Sequence, residues 1–214
     1  PLPASEIESK LEQAGYTKRR FRLEGVVNAA EHLGRRVCFV IGAEPSRIVA
    51  RPGDATVRTI VRAARRTARH WGVATIADTS SQIGQRAPQS GDAALVARIL
   101  AAEKDFRWLD ETRGWFWFYD AMDNSLFTRI RKVLAVARRV TASELRAAIS
   151  RDRRMRGFAP PKGVLLELCR QIPWCRIEDD DVLVAVPPIA RAEVLSRNEG
   201  LVVGVLEAHG GLLE

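Results

Sequence analysis

The chain has 214 residues, 46% of them apolar and 28% charged, which is enough to bury a sizeable core and too apolar for a disordered polymer. A net charge of +8 favours a polyanionic partner, although charge by itself does not separate nucleic acid from an anionic membrane or from simple solubility. The three cysteines, Cys38, Cys169 and Cys175, form no CxxC and have no histidine at ligand spacing, and no apolar run approaches the roughly 18 residues of a membrane span, so a disulfide framework, a zinc site and a membrane partner are not expected.

In chain order, the start at Pro1 instead of Met suggests a piece of a longer protein. Ser5-Glu-Ile-Glu8 has the form of a capping box for a short helix, a second helix is expected from about Leu23 to Leu33, and "RVCFVI" with "RIVA" fits a hairpin. Next, Val57, Ile60, Val61, Ala64, Ala68 and Trp71 recur at helical spacing up to Gly72. Thr75-Ile-Ala-Asp78 caps a second helix, and after the polar stretch Ser80 to Gly91 a third carries Ala94, Leu95, Ile99 and Leu100. "FRWLDETRGWFWFY" then predicts strand, turn and strand.

The same order follows again. Leu126, Ile130, Val133, Leu134 and Ala137 mark a helix, and Thr141-Ala-Ser-Glu144 caps the next. Pro160 or Pro161 opens a third, where a missing amide costs nothing, and "WCRIEDDDVLVAV" supplies a hairpin. A shift of 66 residues puts Thr75 on Thr141, Asp78 on Glu144, Ile83 on Ile149, Ile99 on Leu165, Trp108 on Trp174 and Trp117 on Leu183 without a gap. Three helices followed by a two-stranded wing is the order of a winged helix-turn-helix. The expected fold is therefore mainly α with small β-hairpins, an α+β class of tandem winged helix-turn-helix repeats. The expected boundaries are 1–54 for a partial unit, 55–121 for copy one, 122–190 for copy two and 191–214 for the start of a further helical unit or a tail.

The positive charge is local. Residues 129–156 hold ten Arg or Lys against Glu144 and Asp152, an excess of eight that equals that of the whole chain. Its densest part, "SRDRRMRGFAPPK", occupies the connection into the third helix of copy two, the helix that enters the major groove in this fold. A helix start also offers free amides and positive dipole charge to phosphate. Arg151, Arg153, Arg154, Arg156 and Lys162 are thus the leading nucleic-acid contacts, against the plainer reading of a solvated loop. On the first helix of copy one, at about 100° per residue, Arg58, Arg62, Arg65 and Arg69 form one ridge, suited either to a DNA backbone or to acids of a neighbouring domain. Ser80, Ser81, Gln85, Arg86, Gln89, Ser90 and Arg98 are weaker candidates around its third helix.

The aromatic hairpin of Trp108, Trp115, Phe116, Trp117, Phe118 and Tyr119 could stack unpaired bases, but core packing is favoured because Trp117 and Phe118 match Leu183 and Val184 in the repeat. The acidic turn Glu178 to Asp181 would repel phosphate and puts wing contact in doubt there. His32, His70 and His209 are isolated, no phosphate-binding glycine motif occurs, and no convergent nucleophile, base or metal set is present, so no enzyme, metal or cofactor is expected.

The stretch "IRKVLAVARRVTASELRAAISRDRRMRGFAPPKGVLLELC" with "FRWLDETRGWFWF" resembles the repeated winged-helix segments of bacterial DNA-binding proteins of the sigma-factor region-four-like helix-turn-helix type, over roughly Thr56 to Val186. The resemblance implies a cytoplasmic, nucleoid-associated role on double-stranded DNA, in transcription regulation or in targeting a larger complex, with contacts at Arg151 to Lys162. The second reading is a scaffold that docks a protein partner, such as RNA polymerase or a defence enzyme, through its first helix and wings.

Overall fold

The structure is a computed structural model and describes residues 2–15, 23–33, 39–41, 48–51, 54–84 and 92–210. It is mainly helical with small three-stranded antiparallel sheets, an α+β fold. The chain divides into two compact units, one of residues 1–67 and 74–107, the other of residues 68–73 and 108–214. The boundary drawn between the two sequence copies, at 121/122, falls inside the second unit.

In the first unit, strand β1 (Leu2–Pro3) and helix α1 (Ala4–Gln13) precede helix α2 (Leu23–His32), and strands β2 (Phe39–Ile41) and β3 (Ile48–Ala50) follow. β2 and β3 pair antiparallel with Val40 opposite Val49, as expected of this hairpin, and β1 adds to the other edge of β3. Ala4, Leu23, Val27 and Val49 bury together as its small core. One expectation fails: Ser5 does not cap α1. Pro3 occupies the cap position without a side-chain bond, and Glu8, the intended partner, accepts the Leu23 amide at 3.2 Å instead. The helix starts two residues too early for Ser5 to stand at the cap.

Helix α3 (Ala55–Trp71), strand β4 (Ala74–Thr75), helices α4 (Ile76–Gly84) and α5 (Ala93–Leu100), and strands β5 (Phe106–Asp110) and β6 (Trp115–Phe118) come next. The Thr75 hydroxyl accepts the Asp78 amide at 3.0 Å and so caps the start of α4 as expected, while the Asp78 carboxylate accepts from that hydroxyl at 2.7 Å instead of from an amide. Asp92 caps α5 by accepting the Ala94 amide at 3.1 Å.

The second unit continues with helix α6 (Ser125–Ala137), strand β7 (Arg139–Thr141), helix α7 (Ala142–Arg151), a 3-10 turn at Arg153–Met155, helix α8 (Lys162–Gln171), strands β8 (Cys175–Glu178) and β9 (Val182–Ala185), and helices α9 (Arg191–Val194) and α10 (Arg197–Ala208). The sheet order is β7-β9-β8, with Val140 opposite Leu183 and Ile177 opposite Leu183 on its two sides. The hydrophobic core takes Leu126, Ile130 and Leu134 from α6, Leu145 and Ile149 from α7, Leu165, Leu168 and Cys169 from α8, and Leu183 from the sheet. Trp117 joins the same core fully buried, with its indole N–H donating to Gln171 at 2.8 Å, which gives the aromatic hairpin a structural role for this residue and for the equally buried Phe116 and Phe118.

The sequence offset of 66 carries β4 onto the end of β7 and α4 onto α7, but Trp108 lies within β5 while Trp174 lies one residue ahead of β8. Gly72 turns the chain out of α3 at φ +82°, and a Cβ there would lie 2.7 Å from the Leu126 Cβ. That close approach and the positive φ both require glycine. No described helix is long and apolar enough to cross a membrane.

Candidate nucleic-acid interface

The connection between α7 and α8 is a fixed structure. α7 begins with a complete capping box, in which Glu144 N–H donates to the Thr141 hydroxyl at 3.2 Å and Thr141 N–H donates to the Glu144 carboxylate at 2.8 Å. The Thr141 amide, and after it the Thr141 hydroxyl that donates to the same carboxylate at 2.7 Å, hold the Glu144 carboxyl below its ordinary range. At the other end of α7, Asp152 accepts the Arg154 amide at 2.8 Å and so starts the 3-10 turn. The same carboxylate sits 2.9 Å from Nε of Arg129 on α6, a pair only 14% and 20% exposed. Met155 then enters the core with no exposed surface, Phe158 N–H closes the turn onto the Met155 carbonyl at 2.7 Å, and Arg156 and Gly157 reverse the chain at φ +48° and +80°.

Anchoring Met155 inward turns its neighbours outward. Arg151, Arg153, Arg154 and Arg156 are all exposed and form no ion pair among the described residues. Nearby cations differ: Arg139 pairs with Glu178 at 2.6 Å and Asp179 at 3.1 Å, Lys132 with Glu199 at 2.6 Å, and Arg146 donates through Nε to the Pro160 carbonyl at 3.0 Å. Lys162, placed with the cluster by sequence, is instead paired with Asp181 at 2.6 Å. The proline reading shifts by one position, since Pro161 is the cap of α8 and Lys162 its first residue. Gly163, in the first turn, has open space where a Cβ would stand.

The acidic wing turn is therefore neutralised more than expected. Arg139 holds Glu178 and Asp179, and Lys162 holds Asp181, which leaves Asp180 without an ion pair among the described residues.

On α3, Arg58, Arg62 and Arg69 are exposed, whereas Arg65 is partly withdrawn by Glu103 at 3.4 Å and Asp105 at 3.7 Å. The ridge is thus split between Arg65, which is paired, and three cations with no ion pair among the described residues. Arg98 is half-buried on α5, and Ser80 is buried within α4, which removes it from any contact surface. Arg86, with Gln85, Gln89 and Ser90, lies outside the described residues, as do Cys38 and the side chain of His32. His70 packs edge-on against Trp71 at 4.4 Å, and His209 contacts the Val205 carbonyl at 2.8 Å. The hydrogen bond that the Cys169 thiol donates to Cys175, together with burial, pushes Cys169 well above its ordinary range, and accepting that bond lowers Cys175. Among the described residues no group of His, Cys, Asp or Glu could hold a metal ion.

Sequence reasoning missed Arg129, Asp152 and Met155 as the residues that position the cluster. The "D-x-x-M" inside an arginine run was the available signal, an acid at a turn start and an apolar residue among cations. No protein-family model matches the chain, and no curated protein matches it in sequence.

Proposed function

We propose that this chain binds double-stranded DNA through tandem winged helix-turn-helix units, with Arg151, Arg153, Arg154 and Arg156 on phosphates and α8 directed to the groove. The carrying observation is the group of four exposed arginines, none ion-paired among the described residues, on a pinned turn that leads into α8. The element order of helix, strand, helix, helix and hairpin in the second unit supports the winged-helix reading, and so does the buried hairpin that packs with its helices. A role in transcription regulation or in guiding a larger complex to DNA in the bacterial cytoplasm follows from the resemblance of this segment to sigma-factor region-four-like proteins.

Fluorescence anisotropy with random duplex DNA at several salt concentrations tests it. Each phosphate contact contributes about −0.9 to the slope of log affinity against log salt, so replacing Arg153 and Arg154 by alanine flattens that slope by roughly two units. Unchanged affinity and slope in the double variant would overturn the reading.

One observation favours the scaffold reading as the alternative. α10 exposes Leu201, Val202 and Val205, and beside it Val133 and Val136 of α6 line an apolar groove of about 540 Å³ with Ala148 and Leu195. An apolar face of this kind suits a protein partner.

A further inference from the structure

We propose that Asp181 is an internal phosphate mimic that occupies Lys162 and gates the amino end of α8 against duplex DNA. This rests on the duplex-binding reading above.

The geometry begins with the hairpin between β8 and β9. Asp179 and Asp180 both adopt left-handed backbone, φ +44° and +61°, which folds the tip tightly enough for the Asp181 amide to donate to the Asp179 carbonyl at 2.7 Å. The Asp181 carbonyl in turn accepts the Ala142 amide at 2.9 Å, at the first residue of α7. Asp181 is thereby fixed by its backbone, and its carboxylate lies 2.6 Å from Lys162 Nζ, at the first residue of α8. An anionic oxygen is held on the one cation that begins the proposed recognition helix. A DNA phosphate offers the same lysine the same chemistry.

The clasp is weak enough to yield. Its partners are 49% and 30% exposed, and exposed pairs contribute little because water screens them. Yet it is selective, because Arg151, Arg153, Arg154 and Arg156 carry no such partner among the described residues. DNA first meets the open arginines, and engagement of the α8 start requires exchanging Asp181 for a phosphate on Lys162. While Asp181 keeps its place on Lys162, that lysine neutralises no phosphate and adds nothing to the release of condensed counterions.

The test compares Asp181→Asn with Asp180→Asn, each removing one negative charge from the same turn. Asparagine tolerates left-handed backbone, so the control preserves the tip. Neither substitution touches the backbone bonds of residue 181, and a melting curve for each variant checks the fold. In the random-duplex anisotropy titration, Asp181→Asn should tighten binding about two- to five-fold and steepen the salt slope by about 0.9, since Lys162 then counts as a phosphate contact. Asp180→Asn should leave the slope unchanged. In a Lys162→Ala background the response to Asp181→Asn should fall to that of Asp180→Asn. If Asp181→Asn and Asp180→Asn behave alike, or if the Asp181→Asn gain survives in Lys162→Ala, the gate is refuted while duplex binding stands. If neither the wild type nor any variant binds duplex DNA, the binding reading fails and the gate with it.

Discussion

Eight of the eleven basic residues from Arg129 to Lys162 fall into two sets that composition cannot tell apart. Arg129, Lys132, Arg139 and Lys162 each meet a carboxylate at 3 Å or closer and serve the framework, whereas Arg151, Arg153, Arg154 and Arg156 meet none among the described residues. The excess of nine positive charges in this stretch is therefore not a uniform coating. It is a framework of internally used charge supporting a small set of available charge. Of these two sets the second is open to release counterions from a polyanion, because a paired cation must first give up its partner.

The sharpest way to test this division is to ask what each part does for folding. Trp117, fully buried and hydrogen-bonded to Gln171, belongs to the scaffold that holds both regions. Trp117→Phe or Trp117→Ala should destabilise the second unit, the alanine variant by about 3–5 kcal/mol in denaturant unfolding. Gly72→Ala should follow at about 1–3 kcal/mol, through the positive φ and the crowding against Leu126 and Asn124.

Within the framework charges, Arg129→Ala leaves Asp152 half-desolvated and should cost about 1–2 kcal/mol, read by chemical denaturation. It should also weaken the duplex affinity, because the turn that carries Arg153 and Arg154 loses its brace. A variant that weakens DNA binding without loss of stability would break the assignment of Arg129 to the framework.

A pH experiment reads the Lys132 pair. Its ammonium, with the Ser196 amide and hydroxyl, lowers Glu199 from an ordinary value of 4.5 to about 2. A carboxyl whose folded value is depressed stabilises the fold above its unfolded value, and that contribution is lost as pH falls through the folded one. Stability should thus decline between about pH 4.5 and 2, and the decline should shrink in Glu199→Gln. The smallest effect belongs to the open charges: Arg153→Ala with Arg154→Ala should shift stability by less than about 0.5 kcal/mol, since surface substitutions away from pairs do little. A larger loss would place these arginines in the framework.

Much of the framework was legible because it is local. The helical spacing of Leu126, Ile130 and Leu134, the threonine and glutamate of α7 and the aromatic alternation of β6 specify elements whose hydrogen bonds close within a few residues. The capping box of α10, with Ser196 accepting from Glu199, follows the same rule and was equally readable, though unread. Ser5 shows where such reading stops, because the choice between capping a helix and leaving Glu8 to the Leu23 amide was made by a segment fifteen residues away.

By itself, then, the sequence determined which segments become helices and hairpins, that they recur in the same order, and where positive charge concentrates. Only the tertiary structure decided which of those charges are available. Arg139 and Glu178 are 39 residues apart, and Lys162 reaches Asp181 across the hairpin, so neither pairing follows from a helical or strand period. Opposite charges find each other after the chain has folded, and what they leave over is the surface a polyanion would meet.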